Sequence, residues 1–271
     1  MTRFVIAPQW QGSPAARAML LIDGAEAIAG DLPRARSTRV DVPLEAGEAL
    51  GTGVARLSAL TRTHSAIADA LAVHDEPVVV VGGDCGVAVP AIGHAASRHE
   101  NLAVVWFDAH GDLNSPETSP SGAYAGMALR AVLGHGELAL GADAIPPSRV
   151  VLAGARELDD GEAEFAAASG VGALTVDDLA VADALADAVA ATGATAVYVH
   201  VDLDVLDPSG MTGLTGPVPF GVEVAVLTAA IRRLRESVPL VGASIAGFAP
   251  VTPAAAVDDL AAILRIVGAV A

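Results

Sequence analysis

Three residues with the chemistry of metal ligands follow one short apolar run. Asp108, His110 and Asp112 occupy alternate positions directly after Leu102–Phe107. Alternate residues of a turn can converge on one point, and carboxylate oxygens with an imidazole nitrogen are donors suited to Mn²⁺, Fe²⁺ or Zn²⁺. The spacing therefore predicts ligands of a divalent metal just past the end of a strand.

Two further apolar runs end in side chains of the same kind. Asp202 and Asp204 follow Ala196–Val201, and Cys85 lies in a Gly-rich turn after Val78–Val81. Carboxylates crowded at one sheet edge repel one another, and bound cations relieve that repulsion. Each motif alone is weak, because Asp after a strand can also cap the next helix. Three of them at strand ends favour a metal site.

A sheet is needed to bring these side chains together. Apolar β-branched runs alternate along the chain with stretches whose apolar residues recur every three or four positions. This pattern is typical of βαβ units, a mainly parallel sheet and helices on both faces. The expected strands are Phe4–Ala7, Val78–Val81, Leu102–Phe107, Val150–Ala153, Ala196–Val201 and Leu240–Ile245. The expected helices are Val54–Ala72, Glu162–Ala168, Asp178–Ala191, Val222–Glu236 and Ala254–Val270.

Two long loops, Asn114–Gly122 and Asp207–Gly221, follow strands of this set, and long loops in compact domains are commonly functional. No shift in composition divides the 271 residues, which predicts a single domain spanning 1–271. Ligands are expected at the carboxyl ends of the strands, as in other open α/β sheets.

The composition narrows the functional class. Apolar residues make up 53 % of the chain and charged residues 17 %, enough for one large core. The net charge of -17 argues against nucleic acid, whose phosphates need clustered cations. Neither a signal peptide nor a membrane span is recognisable, and Cys85 is the only cysteine. A cytoplasmic protein without a membrane partner is expected.

The segments GGDCG, WFDAHGDLNSPETSPSG, GARELDDGE and HVDLDVLDP resemble the signature blocks of the arginase, agmatinase and formiminoglutamase (ureohydrolase) family, in order and separation. The resemblance is strong from about Val78 to Pro217. It implies a three-layer α-β-α sandwich around a mainly parallel eight-stranded sheet, two divalent metal ions and a homo-oligomer, a trimer or hexamer. Manganese is the first expectation for the metal.

The resemblance also implies roles for individual residues. Two ligands would bridge both ions, and each ion would take two more. The bridging residues are Asp108 and Asp202, with Cys85 and Asp112 on the first ion and His110 and Asp204 on the second. A metal-bridging hydroxide would attack the central carbon of a guanidino or formimino group, releasing urea or a urea analogue. Asp112 would then pass a proton to the leaving nitrogen.

The substrate is expected to be a small amino acid rather than a bare amine. Asn114 and Ser121 match positions that bind an α-carboxylate, and Asp159 and Glu162 match positions that bind an α-amino group. Both acids have an alternative use as ordinary residues of a helix start.

The chain departs from the family pattern near the expected centre. Cys85 replaces the usual His, as in a branch that hydrolyses Nω-hydroxyarginine, and a thiolate favours Zn or Fe over Mn. Ala123 and Ala125 replace an Asn and a His, and Gly247 replaces a Glu that faces the guanidinium. Losing that carboxylate removes a charge-assisted bond worth ~1.5–3 kcal/mol, which favours a less basic substrate such as hydroxyarginine or formiminoglutamate.

Three hypotheses stay open on the sequence. The first is an active hydrolase of a guanidino or formimino C–N bond. The second is a metal-binding relative that has lost hydrolysis and acts in binding or regulation. The third is a deacetylase-like amidohydrolase, which would normally require one metal and paired histidines. Asp84 and Asp207 are assigned to turn closure or support of the ligands, and His200 to core lining.

Overall fold

The computed structural model describes residues 2–139 and 144–271. Within them, eight strands form one sheet in the order β2-β1-β3-β8-β7-β4-β5-β6, and each neighbouring pair is parallel. The strands are β1 (Arg3–Ala7), β2 (Ser37–Arg39), β3 (Val78–Gly82), β4 (Leu102–Phe107), β5 (Val150–Ala153), β6 (Gly172–Leu174), β7 (Ala196–Asp202) and β8 (Leu240–Ala246).

Helices cover both faces of this sheet, as expected. They are α1 (Leu20–Gly30), α2 (Leu57–Ala72), α3 (Ala88–Ala96), α4 (Ala128–Val132), α5 (Asp160–Ser169), α6 (Val176–Leu179), α7 (Ala184–Ala191), α8 (Val224–Ser237) and α9 (Pro253–Val270). Among the described helices, none has the length and apolar character needed to cross a bilayer.

The core is divided by the sheet into two apolar layers. Val79 and Val81 of β3 belong to the layer beneath α1, α8 and α9, whereas Val78 and Val80 belong to the layer beneath α2 and α3. Successive side chains of a strand point to opposite faces, so a strand buried on both sides is apolar throughout. The three-layer α-β-α fold is confirmed.

The two strands missed by the sequence analysis lack a strong apolar signal. β2 and β6 are three-residue edge strands with exposed positions, and neither contains an apolar β-branched run. The single helix expected over Asp178–Ala191 is instead α6 followed by α7. Helix α1 was also not expected; it contains Gly24, a residue of low helix propensity. A Cβ at Gly24 would lie 1.9 Å from the Phe248 carbonyl oxygen, so close packing requires glycine there.

Four neighbouring strands bring the candidate site together. In the sheet, β3, β8, β7 and β4 lie side by side, and their carboxyl ends share one edge. The three motifs therefore meet, although more than a hundred residues separate Cys85 from Asp202 along the chain.

Candidate metal centre

The six residues predicted as ligands line one cavity at the carboxyl edge of the sheet. Its volume is about 270 Å³, close to the lower end of the ~300–1,000 Å³ of ligand pockets and suited to a small molecule. The six are Cys85, Asp108, His110, Asp112, Asp202 and Asp204.

The turn after β4 folds so that its acidic side chains face the cavity. The backbone N–H of His110 donates to Asp108 Oδ1 at 2.7 Å, which closes the turn. Asp112 adopts φ 52°, a left-handed conformation that costs a non-glycine residue about 1–2 kcal/mol. Its Oδ2 is buried and has no hydrogen-bond partner among the described residues. Strain and an unpartnered oxygen at one residue indicate a functional role.

The end of β7 is locked to the same turn by its two carboxylates. Asp202 Oδ1 accepts the backbone N–H of Asp204 at 2.9 Å, and Asp204 Oδ1 accepts that of Ala109 at 3.0 Å. The other oxygen of Asp204 lies 3.0 Å from His110 Nδ1, and Asp108 Oδ1 lies 3.3 Å from the same nitrogen. His110 thus sits between two carboxylates, as a shared cation would.

Cys85 approaches from the turn after β3. Its buried thiol donates to Asp202 Oδ2 at 2.8 Å, and Asp108 Oδ2 lies 3.8 Å from the sulfur. Asp84 shapes the turn by accepting the backbone N–H of Gly86 at 3.0 Å and that of Gly12 at 2.9 Å.

The carboxylates of this cluster lack enough positive charge. Burial, followed by repulsion from Asp108, raises the pKa of Asp202 to about 7. Burial and neighbouring carboxylates also raise the pKa of Asp112 and Asp204 well above the usual value. Burial and the same acids raise the pKa of the Cys85 thiol. Without cations the site is therefore partly protonated.

The imidazole of His110 supplies the positive charge that the cluster does have. Burial alone would lower the pKa of His110, but hydrogen bonds and charges of Asp108 and Asp204 raise it to about 12. In turn, although burial opposes it, His110 lowers the pKa of Asp108. A protonated imidazole is a stand-in for a metal ion on this side of the site.

Within residues 2–139 and 144–271, two groups of donor atoms are compact enough to hold a metal ion. Asp108, His110 and Asp204 form one, with ligand atoms within 4.8 Å of one another. Cys85, Asp108 and His200 form the other, within the same limit. The first group matches the sequence prediction. The second adds His200, which lies on β7 two residues before Asp202 and had been assigned to core lining.

Of the four residues predicted to bind the substrate, Asn114, Asp159 and Glu162 are joined by hydrogen bonds at the start of α5. Asp159 and Glu162 form a reciprocal capping box at the start of α5, and Asn114 donates to Asp159 Oδ2 at 2.8 Å. Glu162 Oε1 also accepts the backbone N–H of Leu113. Ser121 is exposed and accepts the N–H of Ala123. None of the four is among the described residues that line the cavity, and their binding role stays a prediction.

A positioning residue missed by the sequence reasoning is Arg156, in the block after β5. Its guanidinium donates to five backbone carbonyls around the loop after β7 and so fixes that loop over the cavity. The acceptors are Gly154, Asp204, Val205, Val218 and Pro219. The loop ends are tied by Asp207, which accepts N–H groups of Ser209 and Gly221. Its position in the segment GARELDDGE, which resembles a signature block of the family, could have drawn attention to Arg156.

Comparison with known proteins gives a consistent family. The family model described as "Arginase family" matches residues 27–267, most of the chain. The chain belongs to the arginase family. It is 33 % identical over 218 residues to arginase of Bacillus caldovelox, covering 77 % of this chain and 72 % of the relative.

Two further arginase-family relatives agree. An N(omega)-hydroxy-L-arginine amidinohydrolase of Streptomyces lavendulae is 33 % identical over 197 residues, covering 71 % of this chain and 68 % of that protein. The crystal structure of arginase from Bacillus subtilis superimposes with a TM-score of 0.82 at 25 % identity, covering 99 % and 98 % of the two chains. The protein is therefore a hydrolase of the arginase family with candidate metal ligands.

One departure from the arginase-family pattern has a clear structural cause. Gly247, which follows β8 and lines the cavity, has φ 86°. A Cβ there would lie 2.2 Å from Asp202 Oδ1, so no side chain fits unless Asp202 moves. In this backbone conformation, a Glu at position 247 would clash with Asp202. Ala125 also lines the cavity, where the resemblance implies a His.

The donors fit divalent cations on the observations of this structure. Asp112 has a buried oxygen with no donor among the described residues, and burial, followed by repulsion between neighbouring acids, raises the pKa of Asp112, Asp202 and Asp204. Cations would reverse both penalties. The carboxylate, imidazole and thiol set suits Mn, Fe or Zn.

Proposed function

We propose that the protein is a binuclear metal-dependent hydrolase that cleaves a guanidino or formimino C–N bond in a small amino acid, releasing urea or a urea analogue. One observation carries the proposal. Six potential ligands from three strand ends converge on a small cavity, and the positive charge of His110 alone does not balance their carboxylates.

The proposed centre has two parts that share Asp108 and Asp202. The His110 half adds His110 and Asp204, and the Cys85 half adds Cys85 and Asp112. When bound, two cations would supply Lewis-acid activation of a water near neutral pH. Manganese is the proposed metal, with Zn or Fe as the alternatives that the thiol of Cys85 favours.

Asp112 is the proposed acid–base residue. It lines the cavity in a strained left-handed conformation, and its buried Oδ2 has no hydrogen-bond donor among the described residues. Such an oxygen can accept a proton from a water and return it to the leaving nitrogen of the substrate. Loss of this group should lower turnover more than substrate affinity, because it acts on a proton that moves during reaction.

The cavity wall favours a weakly basic substrate. Away from the proposed ligands it includes small neutral residues, among them Ala125, Gly126 and Gly247. A full guanidinium would lack the carboxylate that pairs with it in arginases. An N-hydroxyguanidino or formimino group loses less, because it is less basic. Recognition of an α-amino and α-carboxylate group by Asp159, Glu162, Asn114 and Ser121 is proposed on the resemblance.

The test is metal loading followed by a product assay. Purified protein is stripped with chelator, reloaded separately with Mn²⁺, Zn²⁺ or Fe²⁺, and its bound metal is counted. Urea or analogue release is then measured with hydroxyarginine, formiminoglutamate, arginine, agmatine and guanidinobutyrate. Turnover of hydroxyarginine or formiminoglutamate, exceeding that of arginine and abolished in Asp112→Asn, is the expected result.

A second function is favoured by Ala125 and Gly247, which remove two polar groups from the reaction site. It is a metal-binding family member that has lost hydrolysis and acts in binding or regulation. Two bound metals with no turnover of any compound in the panel would select this function over the hydrolase.

A further inference from the structure

His200 is a buried histidine with one nitrogen that the fold does not use. It lies on β7 and is fully buried. Its ring packs on Trp106 of β4, with centroids 3.9 Å apart, and its Nδ1 lies 2.8 Å from Ser244 Oγ of β8. Its Nε2 is buried and has no hydrogen-bond partner within the described parts of the chain. Burying a polar nitrogen unpaired is unfavourable, so a further partner is expected.

The unused nitrogen belongs to the Cys85 half of the proposed centre. A ring nitrogen of His200, the Cys85 sulfur and an Asp108 oxygen lie within 4.8 Å of one another. Because Ser244 occupies Nδ1, Nε2 is the nitrogen available to a ligand. In the metal ligands of proteins, a hydrogen bond at one ring nitrogen commonly orients the other toward the metal.

The neighbouring protein groups do not satisfy Nε2. The Cys85 thiol, a potential donor, is directed to Asp202 Oδ2 at 2.8 Å. The indole N–H of Trp106 donates to Asp108 Oδ2 at 3.2 Å. A residue needed only to fill the core would be better apolar, since it would bury no unpaired nitrogen.

We infer that His200 is a metal ligand of the Cys85 half, binding through Nε2. The inference rests on the proposed binuclear centre and extends its ligand set beyond the residues that the sequence resemblance implies. His200, two residues before Asp202 on β7, would supply an imidazole ligand in place of the histidine that Cys85 replaces. A sulfur and a nitrogen donor together make this half prefer Zn or Fe over Mn, unlike the His110 half.

The test compares variants that remove the ring nitrogens of His200 and bracket its volume from above and below. His200→Phe fills the space beside Trp106 without a ring nitrogen, and His200→Asn is the alternative if the larger ring disturbs folding. His64→Phe is the matched control, because His64 on α2 also has an unpartnered buried nitrogen but does not line the cavity. Ser244→Ala removes the Nδ1 partner and keeps Nε2.

Full-length protein is stripped and titrated with Co²⁺ and Zn²⁺. In wild type we expect two ions, a thiolate-to-cobalt charge-transfer band, and two imidazoles per two metals in X-ray absorption spectra. His200→Phe should weaken one site by more than about 100-fold and lose one imidazole. Loss of an orienting partner alone costs about 10–100-fold, so Ser244→Ala should lie in that range. His64→Phe should bind as wild type.

Three results would overturn the inference, and they separate it from the proposed function. Two ions bound to wild type with a single imidazole would overturn it without needing any variant. Unchanged affinity and spectra in His200→Phe would do the same, leaving the binuclear centre intact. Failure of the wild type to bind any of these ions would overturn both the centre and the role of His200.

Discussion

The two halves of the proposed metal centre differ in how they tolerate the missing charge. In the His110 half, the imidazole is 35 % exposed and lies between Asp108 and Asp204 at 3.3 and 3.0 Å. Its raised pKa, about 12, gives this half a positive charge of its own. In the Cys85 half, the thiol is buried, its pKa is raised, and Asp112 has an unpartnered oxygen.

In one half the protein itself balances the negative charge of the carboxylates, whereas in the other half a bound cation must balance it. A half that contains a protonatable imidazole can balance its carboxylates without metal. In the Cys85 half, burial lowers the pKa of His200 to about 4, so its imidazole stays neutral, and the other groups become anionic; this half depends on a cation to balance its carboxylates. Its donors are also softer, so the two halves should differ in both affinity and choice of metal.

Removing a ligand shared by both halves should have the largest effect. Asp202→Ala deletes a carboxylate that contacts Cys85 and caps the Asp204 turn. We expect both metal ions and all turnover to be lost, measured by metal analysis and product release. Asp187→Ala, at an exposed position of α7 outside the cavity lining, is the control for the loss of an acidic residue. Retained activity in Asp202→Ala would refute the shared role.

Removing one ligand from each half tests their difference in metal preference. Cys85→Ser should weaken zinc binding at one site by at least about 100-fold, more than the loss of an outer partner. Manganese should weaken far less, because it has little preference for sulfur. His110→Asn should weaken both metals by similar factors. Competition titrations measure the ratio, and an equal zinc-to-manganese change in the two variants would contradict the proposed asymmetry.

Substitution of a glycine can displace the carboxylate of Asp202, which both halves share, without changing that residue. Two glycines of the cavity allow a matched comparison. Gly247 and Gly216 both have positive φ, 86° and 73°. An added Cβ at Gly247 would lie 2.2 Å from Asp202 Oδ1, whereas one at Gly216 would lie 3.4 Å from His110 Cε1. Gly247→Ala should therefore lower metal affinity at least about tenfold more than Gly216→Ala, since the backbone cost is similar.

Isothermal titration of both variants measures this effect. Gly247→Glu should likewise fail to create an arginase, because its backbone and Cβ bring the same clash. Equal affinities in the two alanine variants, or arginine turnover in Gly247→Glu, would show that Asp202 moves aside freely.

The smallest expected effect is on the stability of metal-free protein. The pKa of Asp202 is raised to about 7, so between its unfolded value and pH 7 the folded state holds a proton that the unfolded chain has lost. Stability is then present at low pH and falls as pH rises through 7. The pKa values of Asp112 and Asp204 are also raised, so these residues contribute in the same direction. The raised pKa of His110 adds a loss of stability at pH values above the pKa of an unfolded histidine.

We expect the melting temperature of metal-free protein to drop by at least about 4 °C from pH 5 to pH 8, where 1 kcal/mol corresponds to about 2–4 °C. Calorimetry with and without bound metal measures it, and the loaded protein should show a flatter profile. Asp202→Asn should reduce the slope. A metal-free protein that becomes more stable over this range would contradict the repulsion argument.

The sequence by itself determined where the central strands end and which potential metal ligands follow them. Val-rich runs predict buried strands because both faces of a parallel strand are apolar, and Asp108, His110 and Asp202 follow such runs directly. The sequence motifs also predicted membership of the arginase family, which the comparisons confirm. It did not reveal β2 and β6, because short edge strands need no apolar run.

Only the tertiary structure decided which side chains have partners. Periodicity places His200 on the same side of β7 as Asp202, but it cannot show that Ser244 occupies one ring nitrogen and leaves the other free. Nor can it show that Gly247 lies against Asp202. Both facts depend on strands that are distant in sequence and adjacent in the sheet, where packing fixes each contact.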